Sequence, residues 1–142
     1  MWIMTKIVVN RCFGGFGLSE AAMLRYAEIK GITLYPEPNS FGHKIYYTVP
    51  ADQRVQQMSP DEWKAATIEQ RLAHSAAYNA MTLSDSDIDR DDPTLAQVVG
   101  ELGKAAEHDY AELEIVEIPD DVKWQIEEYD GKEWIAEVHR TW

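Results

Sequence analysis

The stretch of sequence that decides the fold reads Lys6-Ile-Val-Val-Asn10, then Arg11-Cys-Phe-Gly-Gly-Phe-Gly17, then Leu18-Ser-Glu20 and a helix-forming segment. The β-branched run before Asn10 predicts a buried strand. The glycines predict an irregular turn. Ser19 is a good N-cap for a helix that Gly31 ends. Together these signals predict a strand, a glycine-rich turn and a capped helix inside one small α+β domain.

The next segments predict two strands and a long helix. Residues Ile32 to Tyr35 and His43 to Val49 are rich in β-branched and aromatic side chains, and the proline-rich residues 36–42 between them predict a loop. Ser59-Pro60 is a strong helix start, with serine as the cap and proline at the first helical position. That helix is predicted to run to about Met81. Its predicted buried residues include Trp63, Leu72 and Ala76.

The last third of the chain predicts a helix, a strand and a β-hairpin. Asp92-Pro93 caps the helix, and residues Glu112 to Ile118 form the strand. The hairpin spans Val122 to His139 around Asp130-Gly131. A two-residue turn would pair Ile126 with Ile135 but Trp124 with Glu137. A turn with a bulge at Gly131 gathers the apolar residues on one face, so it is the predicted register. Its predicted pairs are Ile126 with Trp134, Trp124 with Ala136, Val122 with Val138, and Glu128 with Lys132.

Length and composition bound the class of protein. A chain of 142 residues fits a single domain over residues 1–142, large enough to bury a core. The expected architecture is a mainly antiparallel sheet with about three helices and the C-terminal hairpin. No signal peptide or membrane span is recognisable, and the single cysteine, Cys12, suits a reducing compartment. A bacterial host cytoplasm is therefore the expected location, with no membrane partner.

Charge divides the chain into two unlike parts. Residues 1–74 carry 8 Lys and Arg against 7 Asp and Glu, a balance of +1. Residues 75–142 carry 5 against 18, a balance of −13. The acidic second half repels duplex nucleic acid, so duplex DNA and RNA are excluded as partners. A small anionic ligand needs only local positive charge, and the first half is where we expect it.

The glycine-rich turn is the first candidate site. Asn10 and Arg11 precede it, Phe13, Gly14, Gly15 and Phe16 form it, and Ser19 starts the helix behind it. Glycines let backbone N–H groups approach a ligand, and a helix N-terminus favours anions. The spacing matches neither the dinucleotide-binding nor the P-loop pattern. The alternative is a tight structural turn whose phenylalanines fill the core.

Three residues outside the turn are further candidates for a ligand site. Arg90 is the one cation in the acidic run from Asp85 to Asp92, where it either binds a ligand or pairs with its neighbours. The run fails the EF-hand pattern, so we expect no metal, and no cofactor motif is present. Arg140 and Trp142 end the chain with a cation and a stacking ring, and either belong to a pocket or subunit contact or merely border the core.

The N-terminal block Lys6–Ser19 resembles small proteins encoded by phages and prophages. The segments Asp89–Pro93, Val116–Asp121, Glu128–Gly131 and His139–Trp142 add to this likeness. On these segments the chain resembles the phage Thoeris anti-defence sponge family, over roughly Lys6–Gly31 and Asp89–Trp142 but not Asn39–Ser84. The resemblance implies an oligomer that sequesters cyclic ADP-ribose signalling molecules without cleaving them. Some members are also implicated in holding cyclic oligonucleotides.

The expected function is therefore non-catalytic sequestration of a cyclic nucleotide by a homo-oligomer, a dimer or a higher assembly such as a hexamer. Arg11 with Arg90 or Arg140 would hold phosphates, and Phe13, Phe16 or Trp142 would stack on adenine. These residues follow from local chemistry, not from the resemblance. One alternative is an acidic phage accessory protein that binds and inhibits a host protein. Another is a small hydrolase in which Cys12 pairs with a histidine.

Overall fold

A computed structural model describes residues 3–39, 41 and 43–138 of the chain. They form two compact units. The terminal unit comprises residues 3–31 and 85–138, and the middle unit comprises residues 32–84. The α+β class, the antiparallel pairing and the C-terminal hairpin are confirmed, with four α-helices in the described residues instead of about three. The prediction of one domain over residues 1–142 stays a prediction.

The terminal unit is built around its first strand. Its elements in chain order are β1 (Met4–Asn10), α1 (Glu20–Lys30), α4 (Pro93–Leu102), β5 (Leu113–Pro119), β6 (Trp124–Tyr129) and β7 (Lys132–Glu137). β1 pairs with β5, and Val8 lies opposite Ile115. On the other edge of β1, Val8 N donates to Arg90 O at 2.9 Å. Residues Ile7 to Asn10 are fully buried, as a strand covered on both faces should be.

α1 begins and ends at the predicted residues, and α4 begins at its predicted cap. Ser19 Oγ accepts the Ala22 N–H, and Gly31 ends α1 in the left-handed conformation at φ 74°. Asp92 Oδ1 accepts the Thr94 N–H at 2.8 Å, and Pro93 follows at the first helical position of α4. The apolar face of α4 is buried through Leu95, Ala96, Val98 and Val99. Local capping chemistry therefore accounts for where α1 begins and ends and for where α4 begins.

The register of the C-terminal hairpin differs from the predicted one. Asp130 and Gly131 have φ values of 50° and 90° and form a two-residue turn that pairs Ile126 with Ile135. Positive φ at both positions is typical of the type I′ turn, whose twist suits a hairpin. The predicted register with Ile126 opposite Trp134 is wrong, because Glu133, not Trp134, is the buried residue of β7. The other predicted pairs that rest on the bulge are equally wrong: Trp124 with Ala136, Val122 with Val138, and Glu128 with Lys132.

The middle unit contains a small sheet and two helices. Its elements are β2 (Tyr35–Pro38), β3 (Lys44–Tyr47), α2 (Pro60–Ala65), α3 (Ile68–Ala80) and β4 (Thr82–Leu83), with the strands in the order β2-β3-β4. The predicted strand Ile32–Tyr35 is wrong, because the strand begins at Tyr35 and continues into the predicted loop. β2 tolerates Pro36 and Pro38 because it is an edge strand, where a missing N–H need not break a ladder.

The single helix predicted from Ser59 to Met81 is also wrong, because α2 ends at Ala65 and α3 starts afresh. Thr67 and Gln70 form a capping box, in which Thr67 Oγ1 accepts the Gln70 N–H and Gln70 Oε1 accepts the Thr67 N–H. Arg71 Nε donates to Trp63 O at 2.8 Å and so satisfies the end of α2. No residue of α2 or α3 is buried, so the predicted burial of Trp63, Leu72 and Ala76 is wrong too.

Candidate functional site

The predicted site lies at the end of β1, where Asn10 is fully buried and fully hydrogen-bonded. Its side-chain Nδ2 donates to Cys12 O at 2.6 Å and to Gly131 O at 2.8 Å. Its Oδ1 accepts the Glu112 N–H at 2.9 Å. These bonds tie the glycine turn, the hairpin turn and the start of β5 to one side chain. The buried side-chain amide of Asn10 therefore holds these three backbone segments together.

Arg90 is joined to a carboxylate distant in sequence, not to its acidic neighbours. Its two terminal nitrogens donate to Glu133 Oε1 and Oε2 at 2.6 and 2.9 Å, and Nη1 also donates to Val8 O at 3.2 Å. Glu133 is only 7% exposed and accepts the Asn10 N–H as well. The guanidinium carbon lies 3.5 Å from the centroid of the Phe16 ring. Arg90 and Phe16 thus stack on each other, and the charge of Arg90 is already matched.

Arg11 and Ser19 are engaged in a similar way. Arg11 Nε donates to Glu114 Oε2 at 2.6 Å, and its Nη1 donates to Glu133 O at 3.1 Å. Ser19 Oγ donates to Ala105 O at 2.5 Å and caps α1. Just before the cap, Leu18 N donates to Asp85 Oδ2 at 3.1 Å. A carboxylate of the chain itself therefore lies at the place where an anion was expected.

The glycines of the turn allow three loops to pack closely. A Cβ on Gly14 would lie 2.0 Å from Tyr110 O, and one on Gly131 would lie 2.6 Å from both Gly15 N and Phe13 O. Gly15 has φ 90° with open space around it. The two crowded glycines are required by the close approach of neighbouring backbones.

Exposed aromatic rings surround the place where the glycine turn meets the hairpin turn. Phe13 is 61% exposed, and the Lys132 amine lies 5.8 Å from the centroid of its ring. Tyr129 lies opposite Lys132 in the hairpin and is exposed, as is Tyr110 next to Gly14. We call Phe13, Tyr110, Tyr129 and Lys132 the aromatic rim. Sequence reasoning named only Phe13 of this set, because the other three reach the turn from later parts of the chain.

Two predicted site residues, Arg140 and Trp142, lie outside the described residues. Of the other eight, the structure brings Asn10, Arg11 and Arg90 into contact with Glu133, by its side chain or its backbone. Glu133 escaped prediction because the favoured hairpin register turned it toward solvent.

The Cys12 thiol donates to Tyr110 O at 2.6 Å. Two carboxylates of the acidic run are used within the fold, since Asp85 accepts the Leu18 N–H and Asp92 caps α4. Within the described part of the chain, no group of three or more His, Cys, Asp or Glu residues is placed to hold a metal ion. In the same residues, no helix is long and apolar enough to cross a bilayer.

Tyr26, Asp92 and Lys30 form an electrostatically coupled cluster in the terminal unit. Tyr26 Oη donates to Asp92 Oδ2 at 2.6 Å, and the Lys30 amine lies 3.5 Å from the same oxygen. Burial and the Asp92 carboxylate raise the pKa of Tyr26 above its ordinary value. Burial opposes ionisation of Asp92, but the bonds from Tyr26 and Thr94 and the Lys30 amine outweigh it and lower the pKa of Asp92 below 3.8. This coupling fixes α1 to the start of α4.

The middle unit contains a groove that sequence reasoning missed. Its volume is about 460 Å³. It is lined by residues of α2, α3 and the loop before them: Gln57, Met58, Pro60, Trp63, His74, Ser75, Tyr78 and Asn79. The available signal was the four-residue spacing of His74 and Tyr78, which puts both rings on one face of a helix.

The chain was compared with protein-family models, with curated proteins and with solved structures, and no match was found in any of the three.

Proposed function

We propose that this protein sequesters a cyclic nucleotide signal, a cyclic ADP-ribose isomer or a cyclic oligonucleotide, without converting it chemically. The likeness of residues Lys6–Ser19 to phage anti-defence sponges suggests the ligand class. The observation that carries the proposal is the exposed Phe13 ring beside the Lys132 amine on the glycine turn. A ring and a cation side by side suit a ligand that carries both a base and phosphates.

The chemistry of the aromatic rim matches those two parts. Stacking of a base on an aromatic side chain contributes about 1–3 kcal/mol and tolerates any base. The Lys132 ammonium supplies a point charge with three donors for phosphate oxygens. No catalytic group is needed for sequestration, so the bound ligand leaves unchanged.

Two of the expected residues take different roles in this proposal. The Arg11 and Arg90 side chains are already bonded to Glu114 and Glu133, and releasing either would leave a carboxylate without its partner. We therefore assign phosphate contact first to Lys132 and stacking first to Phe13. Since Arg11 and Arg90 are already matched, we propose that copies of the chain assemble into a homo-oligomer, in the host cytoplasm, and pool their other cations.

Isothermal calorimetry of the full chain with cyclic ADP-ribose isomers and cyclic oligonucleotides tests the proposal. Phe13→Ala is expected to weaken binding by about 5- to 150-fold, the range that stacking energies imply. Phe41→Ala is the matched control, because Phe41 is 83% exposed but belongs to the middle unit. Ligand released by denaturation should have its original mass.

Three outcomes would contradict the proposal. The first is no heat of binding with any of these ligands. The second is a Phe13→Ala variant that binds as tightly as the Phe41→Ala control. The third is recovery of a cleaved ligand, which would replace sequestration with catalysis.

A second candidate function is an acidic accessory protein that binds a basic host protein. The observation that favours it is the internal pairing of Arg11, Arg25 and Arg90 with Glu114, Glu101 and Glu133. These cations are neutralised within the fold, in a chain whose residues 75–142 carry a balance of −13. Capture of a basic host protein that is lost at high salt, without nucleotide binding, would favour this function.

A further inference from the structure

We propose that the groove of the middle unit binds an uncharged, planar heteroaromatic ring of nucleobase size. The groove is formed by α2, α3 and residues 57–60, and its volume of about 460 Å³ lies within the range of small-molecule sites, about 300–1,000 Å³. It belongs to the stretch Asn39–Ser84, which the family resemblance does not cover. Three properties of the lining define the ligand: the described lining residues have no formal charge, they include a fixed pair of rings, and they present two side-chain amides.

The first property is the absence of formal charge. None of the described lining residues is Lys, Arg, Asp or Glu, and His74 is the only titratable group apart from the Tyr78 phenol. A charged group moved from water into such a lining would lose hydration without gaining a counter-ion from the lining residues. The part of the ligand that enters the groove is therefore neutral, and any phosphate on it stays in solvent.

The second property is a fixed pair of rings. Trp63 and His74 meet edge to face, with centroids 6.4 Å apart and an interplanar angle of 70°. The Arg71 guanidinium lies 5.2 Å from the Trp63 centroid, and Arg71 Nε donates to Trp63 O at 2.8 Å. The indole is held on both its ring and its backbone, yet it remains 39% exposed. A ring held in this way loses little conformational entropy when a flat ligand packs against it.

The third property is a pair of side-chain amides. Gln57 and Asn79 both line the groove, and neither amide hydrogen-bonds another described residue. Each amide carries a donor and an acceptor, the combination presented by the edge of a nucleobase. A hydrocarbon ring would cover these groups without replacing their bonds to water, which costs free energy. The amides therefore select a heteroaromatic ring over a purely apolar one.

This site is separate from the aromatic rim, and the inference does not depend on the proposed function. The rim uses Phe13 and Lys132 of the terminal unit and needs a phosphate. The groove uses Trp63 and two amides of the middle unit and needs none. Adenosine and cytidine are suitable probes, because both carry a base without phosphate.

Two-dimensional ¹⁵N NMR of the full-length protein, titrated with adenosine and with cytidine, tests the inference. The indole N–H signal of Trp63, identified as the one that Trp63→Phe removes, is expected to shift and saturate. Trp63→Ala should weaken binding by about 5- to 150-fold. Asn79→Ala should weaken it by about fivefold, the loss expected for one hydrogen bond. Trp134→Ala is the matched control, since Trp134 is also 39% exposed but lies in the terminal unit, and it should bind like the wild type.

The inference is overturned if neither nucleoside shifts the Trp63 signal, or if Trp134→Ala weakens binding as much as Trp63→Ala. It is also overturned if toluene binds and the nucleosides do not. Should Trp63→Ala fail to fold, Asn79→Ala still decides the matter. Calorimetry with cyclic ADP-ribose separates the two proposals. If this ligand does not bind, the proposed function at the aromatic rim fails, but nucleoside binding in the groove is still expected.

Discussion

A single carboxylate, Glu133, links the elements at the end of β1. Its side chain accepts the Asn10 N–H and two hydrogen bonds from Arg90, and its backbone oxygen accepts a bond from Arg11. A buried carboxylate is stable only when partners of this kind replace the water that it loses. Three of the residues that local chemistry indicated as ligand-binding groups, Asn10, Arg11 and Arg90, are therefore partners of Glu133.

Removal of this carboxylate tests its role. Glu133→Ala is expected to lower the free energy of unfolding by about 2–3 kcal/mol, because the partly buried Arg90 loses its counter-ion. Urea unfolding followed by circular dichroism measures the change. Glu137→Ala, an exposed position on the same strand, should stay within about 0.5 kcal/mol of wild type. Equal losses in the two variants would show that Glu133 is not a structural centre.

Asp92 is the residue that should make stability depend on acid. Its pKa is lowered in the folded chain, so its contribution is complete above the unfolded value of 3.8 and is lost as pH falls through the folded pKa. Asp92→Asn retains the cap but removes the charge, and it should cost about 1 kcal/mol at neutral pH. The difference in unfolding free energy between wild type and variant should shrink below about pH 4. A difference independent of pH would refute this role for Asp92.

At the scale of elements, the terminal unit depends on backbones that nearly touch. The hairpin turn approaches the glycine turn so closely that Gly131 has no room for a side chain, whereas Gly15 has open space around it. Both glycines have φ 90°, so a substitution at either position carries strain from a left-handed φ. A comparison of substitutions at Gly15 and Gly131 therefore separates the cost of backbone strain from the cost of steric crowding.

The two alanine variants should differ for that reason. Gly15→Ala is expected to cost about 1–2 kcal/mol from the left-handed backbone alone. Gly131→Ala should cost clearly more, because its Cβ would lie 2.6 Å from Gly15 N and Phe13 O. Thermal unfolding of the two variants in parallel measures the difference. Equal melting temperatures would mean that the two turns can move apart without loss.

At the scale of the whole molecule, burial is distributed unequally between the units. The terminal unit holds the fully buried residues of β1 and α4, while Met81 is the one buried residue among those described in the middle unit. Exposed Ile68 and Leu72 give α3 an apolar surface without packing against a core. Regions with few buried apolar groups open at lower free-energy cost than the core does.

Amide hydrogen exchange should therefore report two levels of protection. The amides of α3 are expected to exchange faster than those of α4 and β1, since local opening exposes them without disrupting the terminal unit. Mass spectrometry of peptides from each element measures the rates. Equal protection of α3 and β1 would show that both units open together.

Much of the local structure could be predicted because its causes lie within a few residues. The β-branched run of β1, the Ser19 and Asp92 caps and the Gly31 C-terminus are all short-range effects. The break between α2 and α3 also has a short-range cause, because Thr67 and Gln70 form a capping box there.

The sequence by itself determined the strand, glycine turn and capped helix that begin the chain. Tertiary structure decided the hairpin register and the partners of the candidate site. A register predicted from the alternation of polar and apolar residues rests on the assumption that a charged side chain faces water. That assumption failed at Glu133, whose partners Arg90 and Asn10 lie 43 and 123 positions away. Only the folded chain brings those partners close enough to replace the water around Glu133. The tertiary structure therefore also places the carboxylate that links the residues of the predicted site.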